Sequence, residues 1–294
     1  MSKSPVVVWL SISIAVLAAI AAGAGLLWPR AGNPFPFTTP RGDEVTLSGQ
    51  GLYRFDSVFF AATYTAQDTV MLVLGIPLLL IALVLYRRGS LRGGLLLAGI
   101  LGFFLYVYAS MSLGASYNPL FLLYVALFSA GFFALILVIS SLNLRALPET
   151  VLERLPRRGP AIYLFASGAL TLLVWLSPLV GAMLARETPA LLGHYTTKVT
   201  DALDLAIITP SSFIAAVLIL RRNTLGYRFA FPLLGIIVML LPVMTLSTIY
   251  QLRAGITFTP GEIIGPISGF SVLGLLAIWV MAAILRRLPA STDC

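Results

Sequence analysis

The chain has 294 residues, of which 59% are hydrophobic and only 10% are charged. A soluble domain carries about 25% charged residues, so these proportions exclude a water-soluble core and indicate that lipid is the solvent. The formal net charge of +8 does not indicate nucleic acid binding, because arginines and lysines form short clusters between apolar runs.

Eight segments are apolar and long enough to cross a bilayer, which takes about 17–25 residues. The first is longer than the apolar region of a signal peptide and therefore predicts an uncleaved span. In chain order the predicted spans are Val6–Trp28, Asp68–Tyr86, Gly93–Leu113, Leu120–Leu142, Ala161–Leu184, Val199–Leu220, Phe229–Tyr250 and Ile263–Leu285. We expect an all-α, polytopic transmembrane helical bundle of about eight spans.

The basic residues predict the orientation of these spans. Most of the 19 lysines and arginines lie near the two termini and in the second, fourth and sixth connections. Positive charge is concentrated in the cytoplasmic segments of membrane proteins. This distribution predicts that both termini are cytoplasmic in a multi-pass protein of a prokaryotic inner membrane.

Two connections are long. Residues 29–67 form the predicted outside loop, in which Val45–Leu47 and Leu52–Phe55 resemble the strands of a small β-hairpin. The following apolar stretch, Phe55–Ala66, is too short to span and predicts an interfacial helix or a lid. Residues 143–159 form a predicted cytoplasmic linker.

The second and sixth spans resemble each other. Asp68 precedes Pro77 by the same number of residues as Asp201 precedes Pro210, and a pair of arginines follows each proline. This pattern predicts two units of four spans, residues 1–142 and 160–294. Since four is even, the units would have the same orientation, as in parallel repeats, and the second and sixth spans would flank a shared central region.

The stretch from His194 to Asp204 contains the only histidine of the chain. On a helix with about 100° per residue, His194, Lys198, Asp201 and Asp204 would share one face. Ionisable groups that enter an apolar segment indicate a functional site, here one that binds a cation or a proton. The alternative is structural: Asp201, Asp204 and likewise Asp68 would stabilise the first turn of a helix, with Lys198 as an ion-pair partner.

The third span carries two tyrosines well inside the apolar segment, Tyr106 and Tyr108. Their hydroxyl groups need hydrogen-bond partners in the membrane, and Tyr124 of the fourth span is a candidate. Tyrosines at the membrane boundary are expected of an aromatic belt, but these two lie deeper. The complete set of predicted binding residues is Asp201, Asp204, Lys198, His194, Asp68, Tyr106 and Tyr108.

Catalytic motifs are missing from the sequence, as is a cysteine and histidine pattern for zinc. A single histidine also excludes a haem with two histidine ligands. The sequence therefore predicts no catalytic residues and no metal ligands, and it leaves any cofactor unknown.

The run Tyr117–Val125, preceded by Arg88–Arg92, resembles a family of uncharacterised prokaryotic multi-span membrane proteins. This resemblance implies the same class of protein and no particular activity.

These observations favour an integral membrane protein that binds or transports a small solute or an ion through an outward-facing polar cavity. Its expected partners are the lipid bilayer and a small solute or cation, and no nucleic acid. One alternative is a non-catalytic subunit or sensor that binds a partner through its outside loop. A third hypothesis is an intramembrane enzyme of unknown type.

Overall fold

The computed structural model describes residues 4–289, except for the side chains of Glu262 and Pro266. This part of the chain contains eight helices that are long and apolar enough to cross a membrane, which confirms the all-α bundle. Six spans are single continuous helices, among them α1 (Pro5–Leu27), α4 (Leu91–Gly114) and α5 (Phe121–Ser141).

Two spans are interrupted by a π-helical turn. The second consists of α2 (Val58–Val70), a π turn at Met71–Gly75 and α3 (Ile76–Arg87). The sixth consists of α8 (Val199–Leu203), a π turn at Asp204–Ile208 and α9 (Thr209–Leu220). Each α-helix after the turn has a proline at its second position. Proline has no N–H and collides with the carbonyl one turn earlier, and a widened turn relieves that collision.

The remaining helices lie in the linker, residues 143–159, or form the fifth, seventh and eighth spans. A short helix, α6, lies in the linker, and α7, α10 and α11 form the fifth, seventh and eighth spans. Their bounds are Glu149–Arg154 for α6, Arg158–Ala185 for α7, Thr224–Arg253 for α10 and Pro260–Leu285 for α11.

The predicted hairpin is present with a different partner strand. Strand β2 (Glu44–Leu47) pairs antiparallel with β1 (Phe35–Thr38). The predicted second strand, Leu52–Phe55, forms turns instead. Gly49 has φ +66° and lies directly against the backbone of Asn33, so the chain reverses there before a second strand can form.

The second span begins earlier than predicted. Because α2 starts at Val58, the stretch assigned to an interfacial helix or lid is the first part of this span, and the long connection ends at residue 57. We call residues 28–57 the cover. The connections 28–57, 115–120, 186–198 and 254–259 all lie at one end of the bundle, which we call the hairpin end.

The third and seventh spans form the centre of the bundle. They are the most buried of the eight and pack directly on each other. A Cβ atom at Gly235 of α10 would overlap the backbone of Gly99, and one at Gly102 of α4 would lie 2.9 Å from Pro232. Small residues let the two backbones approach closely. Helices α4 and α10 therefore occupy the centre of the bundle, and the second and sixth spans lie beside this pair.

The two interrupted spans pack crosswise on this central pair. Helix α2 of the second span lies against α10, and α8 of the sixth span lies against α4. Helix α2, which carries Asp68, thus packs on a central helix from the second half of the chain. Helix α8, which carries Asp201, packs on a central helix from the first half.

Candidate functional site

Asp68 is buried inside the second span, with 3% of its surface exposed. The Tyr53 hydroxyl, from the cover, donates a hydrogen bond of 2.6 Å to its Oδ2 atom. Gly25 of α1 makes room for the carboxyl group, because a Cβ atom there would collide with it. The first-turn alternative is excluded for Asp68, since α2 begins at Val58 and its N-terminus is capped by Ser57.

Asp201 and Asp204 form a second buried cluster. The Nζ atom of Lys198 lies 2.8 Å from Oδ2 of Asp201, which is 2% exposed. Tyr106 donates a hydrogen bond of 3.3 Å to Oδ2 of Asp204, and Trp175 of α7 faces the same carboxylate. The structure therefore brings together four of the seven predicted binding residues, namely Lys198, Asp201, Tyr106 and Asp204. Asp201 does lie in the first turn of α8, as the structural alternative expects, and it also has the ion-pair partner that alternative names.

Tyr106 and Tyr108 lie on different sides of α4. Positions two apart on a helix differ by about 200° in direction. Tyr106 reaches Asp204, whereas the ring of Tyr108 stacks on Tyr124 with centroids 6.3 Å apart. Tyr124 is the contact that the sequence suggested for this pair. Tyr106 therefore belongs to the Asp204 cluster, whereas Tyr108 and Tyr124 lie on the opposite side of α4.

His194 does not share a helical face with Asp201 and Asp204, contrary to the expectation from the sequence. Residues 194–198 form turns and the helix begins only at Val199. Gly193, with φ +54°, redirects the chain just before the histidine. The Nε2 atom of His194 lies 3.0 Å from Oγ of Ser116, in the connection between the third and fourth spans.

Asp56 is a buried acid of the cover that the sequence analysis did not single out. It is 1% exposed, and its Oδ1 atom accepts hydrogen bonds of 2.8 Å from the Ser116 N–H and 2.9 Å from the Tyr195 hydroxyl. It therefore ties together the first, third and fifth connections at the hairpin end. Its only sequence signal is its place directly before the helix cap Ser57, which does not indicate burial.

Burial changes the acidity of this group and of its neighbours. It raises the pKa of Asp56 to about 6, although the hydrogen bonds from Ser116 and Tyr195 act in the opposite direction. Burial also raises the pKa of the Tyr195 hydroxyl, with a further contribution from Asp56. It lowers the pKa of His194. In each case the neutral form is favoured, because transfer from water penalises the charged form.

Arg41 joins the cover to the connection between the fifth and sixth spans. The Arg41 guanidinium donates hydrogen bonds of 2.5 Å to the carbonyl of Gly193 and 3.1 Å to the carbonyl of Tyr195. Two other residues of the cover, Leu52 and Tyr53, are almost fully buried. The cover is therefore part of the folded bundle and rests on the connection that contains His194.

A polar cavity of about 450 Å³ opens at the hairpin end, between the cover, the end of α1, the start of α2 and the end of α10. Both Gly25 and Tyr53, which contact Asp68, form part of its wall. None of the seven predicted binding residues lines it. The lining residues are Gly25, Trp28, Arg30, Ser48, Gln50, Gly51, Leu52, Tyr53, Val58, Ala61, Ala62, Thr65, Tyr250, Arg253 and Ala254.

The fold and these clusters define an integral membrane protein, an eight-helix bundle with buried carboxylates in two of its spans. Comparisons of the chain with protein-family models, with curated proteins and with solved structures each found no match. The class of the protein therefore follows from its own residues and fold.

Proposed function

We propose that the protein binds a small solute from the outside and transports it together with a proton or cation. The hairpin end would face outwards, since the arginine clusters of the second, fourth and sixth connections lie at the opposite end. The observation that carries this proposal is the position of Tyr53, whose side chain belongs to the cavity wall and also donates a hydrogen bond to the buried Asp68.

The chemistry of Asp68 supports coupling. A carboxylate inside the apolar part of a membrane protein is costly as an anion, so it binds a proton or a cation, or pairs with a basic group. Among the described residues, no lysine, arginine or histidine forms an ion pair with Asp68. A solute that displaces the Tyr53 side chain would remove the hydrogen bond to Asp68. Solute binding and proton binding would then depend on each other.

Asp204 is the second candidate for a proton-binding group. Its neighbour Asp201 is balanced by Lys198, whereas the hydrogen-bond partners of Asp204 among the described residues are the neutral side chains of Tyr106 and Trp175. A buried carboxyl group with neutral partners exchanges a proton more readily than one fixed in an ion pair. We assign Lys198 and Asp201 to positioning, and Asp204 to proton binding.

We further propose that the chain contains two related units, residues 1–142 and 160–294. The support is local geometry at equivalent positions. Three residues after Asp68 and three after Asp201 a π turn begins, and each is followed by a helix of 12 residues. Each of these helices is followed by a residue with positive φ, Gly89 or Arg222, and then by a side-chain helix cap, Ser90 or Asn223.

The experiment is uptake into liposomes that contain the purified full chain. A panel of radiolabelled sugars, amino acids, carboxylates and phosphate esters is added outside, with an inward proton gradient. We expect one class to accumulate, and we expect Asp68→Asn and Asp204→Asn to abolish this accumulation. Glu187→Gln, which changes an exposed acid at the same end, should leave uptake unchanged. Equal uptake in both Asn variants and the wild type would overturn the proposal.

A second candidate function, a membrane subunit or sensor, is favoured by one observation. All four residues of β1 are exposed, and this strand pairs only with β2 among the described strands. An open strand edge can accept a strand from a partner protein. The test is a photo-reactive residue in place of Phe35, activated in native membranes. One reproducible protein adduct would support this function, and its absence would count against it.

A further inference from the structure

We propose that the cavity at the hairpin end binds an anionic ligand with a phosphate group. This inference rests on the proposed function, because it names the chemical class of solute for the same cavity. Its evidence is the set of charges and hydrogen-bonding groups in the wall, which is separate from the buried carboxylates that led to the transport proposal.

The charged residues of the wall are all of one sign. Arg30, just after α1, and Arg253, in the last turn of α10, both line the cavity, and no aspartate or glutamate does. In the described part of the chain, neither guanidinium forms an ion pair. Arg253 also complements the dipole of α10, whereas Arg30 lies beyond the last turn of α1. Two unpaired guanidinium groups at one cavity favour an anion.

The geometry of the guanidinium group indicates which anion. Arginine offers several N–H donors in a planar fork that matches the oxygens of a phosphate or carboxylate. Ser48, Gln50 and Tyr250 add hydroxyl and amide groups to the same wall. A phosphate has more acceptor oxygens than a carboxylate, so it can engage both arginines and these neutral donors at once.

The rest of the wall is apolar and indicates the body of the ligand. Leu52, Val58, Ala61 and Ala62 lie beside the polar groups, and Trp28 also lines the cavity. Tryptophan is typical of the membrane–water boundary. A volume of about 450 Å³ accommodates a small molecule and not a whole lipid. The phosphate group can therefore belong to a soluble phosphate ester or to the headgroup of a phospholipid.

An anion at this place also explains how the cavity would act on Asp68. Tyr53 and Gly25 line the cavity and also contact Asp68. A negative charge in the cavity disfavours a second negative charge on Asp68, so ligand and proton would promote each other's binding. The ligand would then enter together with a proton that offsets part of its charge.

The test measures binding alone. The full chain in a neutral detergent is titrated by calorimetry with glycerol 3-phosphate, inorganic phosphate, dihexanoyl phosphatidylglycerol and dihexanoyl phosphatidylcholine. Quenching of Trp28 fluorescence, assigned with a Trp28→Phe variant, reports whether the ligand occupies this cavity. We expect saturable binding of at least one anionic probe and a loss of at least about tenfold in affinity in Arg30→Gln/Arg253→Gln. Arg186→Gln, an exposed arginine at the same end, is the matched control and should bind normally.

Each result has a defined meaning. Binding of the phosphatidylglycerol alone identifies a lipid headgroup, whereas binding of glycerol 3-phosphate identifies a soluble ester. Equal binding of the zwitterionic lipid, unchanged affinity in the double variant, or no saturable binding overturns the inference. If the double variant does not fold, the single variant Arg30→Gln and the loss of affinity at high salt replace it. Uptake of a neutral solute would refute this inference alone, and binding without any uptake would refute the transport proposal alone.

Discussion

Gly235 of α10 lies directly against the carbonyl of Gly99 of α4, with no space for a side chain between the two backbones. This contact lies at the centre of the bundle, where the two most buried spans meet. Its equivalent on the other side of the crossing is Gly102 against Pro232. The separation of the central helices is therefore set by glycine.

The first prediction concerns this contact. Gly235→Ala should destabilise the protein by about 1–3 kcal/mol, because the added methyl group overlaps backbone that cannot rotate away. Gly181→Ala is the control, since a methyl group at that helical position meets nothing within 4 Å. Thermal unfolding of both variants in detergent provides the measurement. A Gly235→Ala protein as stable as Gly181→Ala would show that the helices do not approach this closely.

The second prediction concerns Tyr106. Tyr106→Phe removes the hydroxyl that donates to Asp204 and should cost about 1 kcal/mol of stability, the net value of a typical hydrogen bond. It should also alter the pH dependence of uptake, because the carboxyl group loses a partner. Tyr108→Phe makes the same chemical change on the α4 face toward Tyr124 and does not touch Asp204, so uptake by that variant should keep the wild-type pH profile. Identical profiles in all three proteins would contradict this assignment.

The third prediction concerns the Lys198–Asp201 ion pair. Lys198→Gln alone leaves a buried carboxylate without its partner, and we expect a loss of about 3 kcal/mol or more. Lys198→Gln/Asp201→Asn should recover a large part of that loss, since both charges are gone. A double-mutant cycle of unfolding free energies measures the coupling. Additive effects would mean that the two groups do not interact.

The fourth prediction concerns pH and the cover. Asp56 has a pKa of about 6 in the folded protein, above its value of about 3.9 in an unfolded chain. Its neutral form therefore contributes stability below about pH 4, and this contribution is lost as the pH rises through about 6. The difference in unfolding free energy between wild type and Asp56→Asn should fall by about 3 kcal/mol between about pH 4 and about pH 7.

His194 acts in the opposite direction and must be separated from Asp56. Its pKa is lowered in the folded protein, so its contribution to stability is present above its unfolded value of about 6.5 and is lost as the pH falls. In Asp56→Asn the histidine effect remains, and stability should rise with pH. Unfolding midpoints across this pH range, with Asp56→Asn/His194→Asn as the control, test both signs. A flat difference between wild type and Asp56→Asn would exclude a buried neutral Asp56.

The sequence was sufficient for features that depend on neighbours along the chain. The spans follow from runs of apolar residues, and the Lys198–Asp201 pair follows from their spacing on the chain. The position of Asp68 was misjudged because Gln67 and Asp68 interrupt an apolar run, which made that aspartate look like the start of a span. In the fold, Tyr53 and Gly25 accommodate the polar group inside the helix.

The cavity and the Asp56 cluster could not be predicted in this way. Arg30 and Arg253 are far apart in sequence and line the same cavity only because the fold brings the cover beside the end of α10. Asp56, Ser116 and Tyr195 come from three different connections. Such contacts depend on how the spans are arranged, and no periodicity within a single segment encodes them.

The π turns at Met71–Gly75 and Asp204–Ile208 change the angular phase of their spans. A π turn accommodates an additional residue within nearly the rise of one α turn. The helical wheel therefore advances by about 100° between the two halves of each span. Loss of one residue from Met71–Gly75 would restore an α-helix and rotate Asp68 away from Tyr53. A deletion there would change which side of the span carries the acid, while its length across the membrane would remain almost the same.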